Sequence, residues 1–158
     1  MSNRLVTTLV GLCALVLASG CASTRQFVRL PDQARTVENP AQCRIYVFRP
    51  EAMLGGIAKM KIMDGTRVIG DLGMASYLCW EREPGKVEVF MDFSSSDGMT
   101  INMREDLDTQ PGLVYYLRGG LLNPFSGASD KLDRLWRISD AEGKMLFSKC
   151  KPPPQAVP

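Results

Sequence analysis

Glu105, Asp106 and Asp108 form the densest group of carboxylates in the chain, at a spacing that chemistry can use. Asp106 and Asp108 lie two apart, so on a strand both project from one face and could offer oxygens to calcium. The plainer reading is a solvated strand end before Pro111-Gly112. Asp92, Asp97 and Asp106 could supply the two carboxylates of a glycoside hydrolase if the fold brings a pair together. Ser94-Ser95-Ser96-Asp97-Gly98 offers hydroxyls, but the chain has no histidine to act as their base, and none of these serines opens an S-x-x-K. The missing histidine also removes His-dependent triads and His metal sites, and no other residue set points to a metal or a cofactor. Arg49, at the end of an apolar run, could contact an anion or pair with a carboxylate to hold a sheet edge. Trp80, Trp136, Tyr115 and Tyr116 could line a sugar platform, although aromatic strand residues more often form core.

The N-terminus carries a different chemistry. Met1 to Arg4 is weakly positive, and Leu5 to Ala18 is uncharged and apolar apart from Thr7 and Thr8. That run matches the h-region of a secretory signal and falls short of the ~20 residues of a membrane-spanning helix. Leu17-Ala18-Ser19-Gly20-Cys21 resembles the lipobox of bacterial lipoproteins, with Leu17 one place further from the cysteine than usual. The resemblance implies cleavage between Gly20 and Cys21 and acylation of the Cys21 thiol and its new amine. Ala22 and Ser23 in place of an aspartate imply an outer-membrane lipid anchor facing the periplasm in a Gram-negative source, and a cell-membrane anchor otherwise. Ordinary cleavage to a soluble periplasmic protein and an uncleaved anchor are the alternatives.

Loss of residues 1–20 removes Arg4 and takes the cations from 19 to 18 against 17 carboxylates, a mature charge of +1. So even a balance, with no basic run, argues against a nucleic-acid partner. Cys43, Cys79 and Cys150 then remain in an oxidising compartment, and one disulfide with one thiol left over is the simplest outcome. Cys43–Cys150 would staple the two ends of the domain. Cys79 is the alternative partner of Cys43, and chain entropy separates the two loops by only about 1 kcal/mol. Three unpaired, buried thiols are the other outcome.

The elements that must position these residues read as β. Ala22 to Gln42 is polar, contains Pro31 and Pro40 and lacks periodicity, so 21–42 reads as the lipidated cysteine and a tether. It would reach at most about 65 Å at the ~3.1 Å per residue of polyproline II. Phe27, Val28 and Leu30 are an apolar island that could instead pack back. Cys43 to Pro50 is apolar on both faces and predicts a central strand. Ala58 to Ile62 and Arg67 to Leu72 flank Asp64-Gly65, a type I′ hairpin signal. Tyr77 to Arg82 precedes Pro84-Gly85, and Val87, Val89, Met91 and Phe93 alternate cleanly. Met99 to Met103 and, after Pro111-Gly112, Leu113 to Arg118 follow, and 119–129 reads as loop. Arg134 to Ile138 and Lys144 to Phe147 read as a last hairpin across Ala141-Glu142-Gly143, with one short helix around Leu132, Leu135 and Trp136 as the alternative. Turns between period-2 runs predict an all-β, antiparallel β-sandwich of about seven to nine short strands over 43–150. Residues 151–158 read as a solvated, proline-rich tail.

Ile45-Tyr46-Val47-Phe48-Arg49-Pro50, then Asp64-Gly65 with Val68-Ile69-Gly70 and Leu72, then Tyr77, Pro84-Gly85, and Gly112 with Tyr115-Tyr116, follow one order. That order resembles a family of uncharacterised bacterial lipoprotein domains found behind a lipobox. The resemblance covers about residues 43–120 and implies a β-sandwich in the envelope, without a mechanism. The expected function is a lipid-anchored, non-catalytic binding or interaction module, with an envelope protein or polymer as partner. A histidine-free carboxylate hydrolase of envelope polymers is the alternative, and a periplasmic small-ligand binder with Arg49 near its pocket is the third.

Overall fold

All seven residues of β2 (Cys43–Arg49) are buried, which a strand achieves only when both faces of its sheet are covered. The computed structural model describes residues 24–51, 59–94, 100–120 and 134–154. Gly20, Cys21, Asp97 and most of the Ser94–Gly98 stretch lie outside these, as do Leu132 and residues 155–158. Two sheets face each other. The first runs β1 (Arg25–Gln26), β4 (Arg67–Leu72), β3 (Met60–Asp64), β6 (Gly85–Ser94), β7 (Thr100–Thr109), and the second runs β5 (Ser76–Arg82), β2, β8 (Val114–Gly120), β9 (Arg134–Arg137). The expected β-sandwich is therefore the observed architecture. All strand pairs are antiparallel except β2 with β8. The chain turns back at Pro84-Gly85 and at Pro111-Gly112, and β6 and β7 between them are antiparallel, so β8 returns running the same way as β2.

Between the sheets, Val87, Val89, Met91 and Phe93 of β6 meet Ile45 and Val47 of β2 and Leu78 and Trp80 of β5 in one apolar core. Lys86 and Glu88, their neighbours in sequence, face solvent, as the period of 2 dictates. The outer face of the second sheet carries a separate cluster of Tyr46, Phe48, Tyr77, Cys79, Tyr116, Ile138, Leu146 and Cys150. Each fully buried large side chain here contributes about 1.5–3 kcal/mol. Helix α1 (Asp140–Leu146) covers part of this cluster.

Four expectations change. The stretch 140–146 is a helix, with Phe147 as its C-cap, and not part of a hairpin: the Ser139 hydroxyl accepts from the Glu142 amide as an N-cap. Its Gly143 lies against the Tyr116 ring, where a Cβ would collide. The β3–β4 hairpin is shifted by one residue, because Asp64 pairs with Arg67 and leaves Gly65-Thr66 as the loop. Only Gly65 has a positive φ there (56°), the type II′ pattern and not type I′. Pro84-Gly85 carries the chain from one sheet to the other.

The fourth change is the largest. Residues 24–42 are part of the domain and not a tether. Arg25 and Gln26 pair with Asp71 and Gly70 of β4. The Gln26 side chain then acts as a strand partner for the outer edge of β5: its Nε2 donates to the Cys79 carbonyl at 2.8 Å and its Oε1 accepts from the Cys79 amide at 3.1 Å. Residue 151, expected in a solvated tail, closes the same edge: its carbonyl accepts from the Tyr77 amide at 3.1 Å and its amide donates to the Ala75 carbonyl at 2.8 Å. Arg44, 1% exposed, holds the rest of the N-terminal segment. Its Nη1 donates to the Arg35 carbonyl at 2.6 Å and its Nη2 to the Asp32 carbonyl at 3.0 Å, while Glu81 balances its charge at 2.7 Å. Glu81 also accepts from the Glu38 amide.

Candidate functional site

The acidic residues do not assemble into a site. Asp106 sits on the solvent face of β7, bound through both oxygens by Arg104 at 2.7 and 2.9 Å, and that hydrogen bond holds its carboxyl below the usual range. Arg104 also pairs with Glu88 across the hairpin. Asp108 stands opposite Lys86. Asp92 lies four residues along β6 from Glu88, the partner of Asp106. That separation is about 13 Å along the strand at ~3.3 Å per residue, longer than the roughly 5–9.5 Å of a carboxylate pair that cleaves glycosides. Among the described residues no group of three or more Cys, Asp or Glu is placed to share a metal ion. The solvated-strand reading fits Asp106 and Asp108, which are exposed, whereas Glu105 is half-buried on the opposite face of β7, in line with Met103 and Leu107.

Arg49 is 3% exposed and donates from Nη1 to the Leu72 carbonyl at 3.2 Å, tying the end of β2 to the end of β4. Its observed contact is thus with the backbone at the strand ends, and burial lowers its pKa. The Cys43–Cys150 staple is corrected. Cys43 belongs to the core between the sheets, whereas Cys79 and Cys150 belong to the outer cluster. All three are buried and unpaired. The alternation of β2 sends Cys43 to one face of the sheet and Tyr46 to the other, so Cys43 cannot reach a thiol on the helix side. Burial pushes the Cys79 thiol up to about 12 and the Cys150 thiol up to about 11, and raises Cys43 as well.

The four candidate platform aromatics divide between the layers. Trp80 and Tyr115 lie in the inter-sheet core, with the Trp80 Nε1 donating to Asp64 at 2.9 Å. Tyr116 joins the outer cluster, and Trp136 packs against it beneath the Arg118 guanidinium. The outer cluster opens to solvent in a groove of about 410 Å³. Its floor is Tyr46, Tyr77, Tyr116 and Phe147, with Phe147 edge-on to the three tyrosines at 5.0, 5.4 and 6.3 Å between centroids. Gln33 and Arg35 of the N-terminal segment form one wall and Lys144 of α1 contributes to the other.

Electrostatics give this groove a direction. The Tyr46 hydroxyl donates to Gln33 at 3.0 Å and accepts from Arg44 at 3.3 Å, and burial raises the pKa of Tyr46, Tyr77 and Tyr116, which stay neutral. Among the described residues, no hydrogen bond engages the hydroxyls of Tyr77 and Tyr116 and no carboxylate pairs with Lys144. Among the described residues the Arg35 guanidinium pairs only with Asp32, at 3.7 Å, and its side chain is 68% exposed. Among the described residues no carboxylate lines the groove itself, and Asp32 stands beside it as the partner of Arg35. A second groove, beside Asp64, Arg82, Glu88 and Arg104, is larger at about 790 Å³, but its charges are spent on one another through Arg82–Asp64 and Arg104–Glu88. The sequence reading included Tyr116 and missed Tyr46, Tyr77, Phe147 and Lys144. The apolar doubling of β2 was the signal that its second face had a cover.

No family model, curated protein or solved structure matches the chain. Among the described residues no helix is long and apolar enough to cross a membrane.

Proposed function

We propose that this protein is a lipid-anchored envelope protein, held at the outer membrane through Cys21, whose β-sandwich is a non-catalytic binding module facing the periplasm. The groove over Tyr46, Tyr77 and Tyr116 is its binding site. The observation that carries this reading is the pairing of a neutral aromatic floor, two of its hydroxyls unengaged among the described residues, with Lys144 and the largely exposed Arg35 on its rim. Such a surface takes a ligand with a flat or ring-shaped apolar face and a negative charge, presented by an envelope protein or polymer. Deep burial leaves the tyrosine rings little exposed, so contact is made by the ring edges, the hydroxyls and the rim.

Photo-crosslinking in cells from a reactive amino acid at Thr36, on the groove wall, tests the proposal. One dominant envelope component is expected, lost when Lys144→Glu reverses the rim charge. An identical pattern from a reactive residue at Lys61, on the other sheet, would overturn it.

A further inference from the structure

The N-terminal segment fixes how far the domain stands from its own anchor. Thr24 is 7% exposed. Its hydroxyl accepts from the Gly73 amide at 3.0 Å and bonds the Ser76 hydroxyl, and β1 begins at the next residue. Only Ala22 and Ser23 separate Thr24 from Cys21. Three residue steps span at most about 10 Å, at ~3.3–3.6 Å each.

The strand register defines the end of the sandwich on which Thr24 sits. Arg49 pairs with Ser76, Met60 with Leu72, Ser94 with Thr100, and Gly120 with Arg134, so one end gathers the C-terminal ends of β2, β4, β6 and β8 with the starts of β3, β5, β7 and β9. Residue 151 joins it through its bridge to Ser76. Among the described residues the exposed charged side chains at this end are Lys59, Arg134 and Lys151 against Glu51, and none of the three cations makes an ion pair with a described residue. The reversals at Gly65-Thr66, Pro84-Gly85 and Pro111-Gly112 lie at the opposite end.

We infer that this end of the sandwich is seated on the lipid surface that holds Cys21, with Lys59, Arg134 and Lys151 toward the lipid phosphates. The inference rests on the lipid-anchor reading and adds to it an orientation. A tether of residues 21–42 would leave the domain free to point anywhere; a link of two residues does not.

The test uses the full mature lipidated protein in vesicles of phosphatidylethanolamine and phosphatidylglycerol carrying a nickel-chelating headgroup lipid. A nitroxide is placed in turn at Glu51→Cys, at the seated end, and at Gln110→Cys, about 30 Å away along the β6–β7 hairpin at ~3.3 Å per residue. The native thiols are buried, so labelling is selective. Nickel should relax the label at 51 several-fold more than the label at 110, and a ten-residue Gly-Ser insertion between Ser23 and Thr24 should remove the difference. Equal relaxation at both sites, in protein whose mass shows acylated Cys21, would overturn the seating and leave the anchor standing. A difference that survives the insertion would also overturn the role of the short link. A mass without acyl chains would defeat the anchor reading itself.

Discussion

Gln26→Ala is the substitution that asks most of this fold. The Gln26 amide satisfies both the N–H and the C=O of Cys79 at the outer edge of β5, and Cys79 is 0% exposed. Truncation leaves two buried backbone groups without partners, at about 1–3 kcal/mol each. Partial access of water through the space left by the side chain offsets some of that, so a loss of about 2–4 kcal/mol is expected. With an m-value of roughly 2 kcal/mol/M for a domain of this size, the urea midpoint should fall by about 1–2 M. Hydrogen exchange at the Cys79 amide should accelerate more than at Ile45 in the sheet interior. Gln26→Glu refines the test. It keeps an acceptor for the amide but sets a second oxygen against the Cys79 carbonyl. Burial raises the folded-state pKa of such a carboxyl above the ~4.3 of an unfolded glutamate. The protonated carboxyl can donate, so its contribution is present at low pH and is lost as pH rises through the folded pKa. The deficit should therefore shrink on acidification, unlike that of Gln26→Ala. A loss below about 0.5 kcal/mol for Gln26→Ala would refute the claim that the N-terminal segment is an integral edge of the sandwich.

Other perturbations probe the remaining joints. Glu81→Ala removes the partner of Arg44 (2.7 Å) in a buried setting and should cost about 3–5 kcal/mol in chemical denaturation; a loss under 1 kcal/mol would mean that the N-terminal segment moves away and exposes the guanidinium. Gly143→Ala would drive a methyl group into the Tyr116 ring, so overpacking of about 1–3 kcal/mol should exceed the ~1 kcal/mol gained in helix propensity, giving a lower melting temperature. The thiols predict a pH dependence. Burial raises Cys79 to about 12 and Cys150 to about 11 from a starting value of 9.0, so their contribution is full below pH 9 and is lost as pH rises through those values. Stability should fall as pH rises from about 9 to about 12, and none of Cys43, Cys79 and Cys150 should react with a thiol reagent at pH 8 until urea unfolds the chain.

Much of the sandwich was legible in the residues because its strands bury apolar side chains with a period of 2. Val87 to Phe93 show the pattern plainly, and the double-sided apolarity of Ile45 to Phe48 announced a strand covered on both faces. The N-terminal segment and residue 151 were illegible for a physical reason: they are held by an amide, a guanidinium and backbone hydrogen bonds, none of which leaves a hydrophobic rhythm. Asp64 looked like a turn residue, yet it ends β3 and binds Trp80 and Arg82, contacts no local pattern encodes. Helix α1 did carry a signal, Ser139 three residues before Glu142, but Ala141-Glu142-Gly143 also reads as a turn, and only the close approach of Gly143 to Tyr116 separates the two. The groove combines residues from five separate stretches of the chain, so its cationic rim could not be seen before the fold.

The claim on which localisation, orientation and partner all depend is acylation of Cys21. Intact mass spectrometry of the protein purified from the cell envelope measures it directly. The account predicts a mature chain that begins at Cys21 and carries acyl chains, bound to membranes and released by Cys21→Ser. A lipid-free mature mass for the unsubstituted protein, with the chain in the soluble fraction, would contradict it.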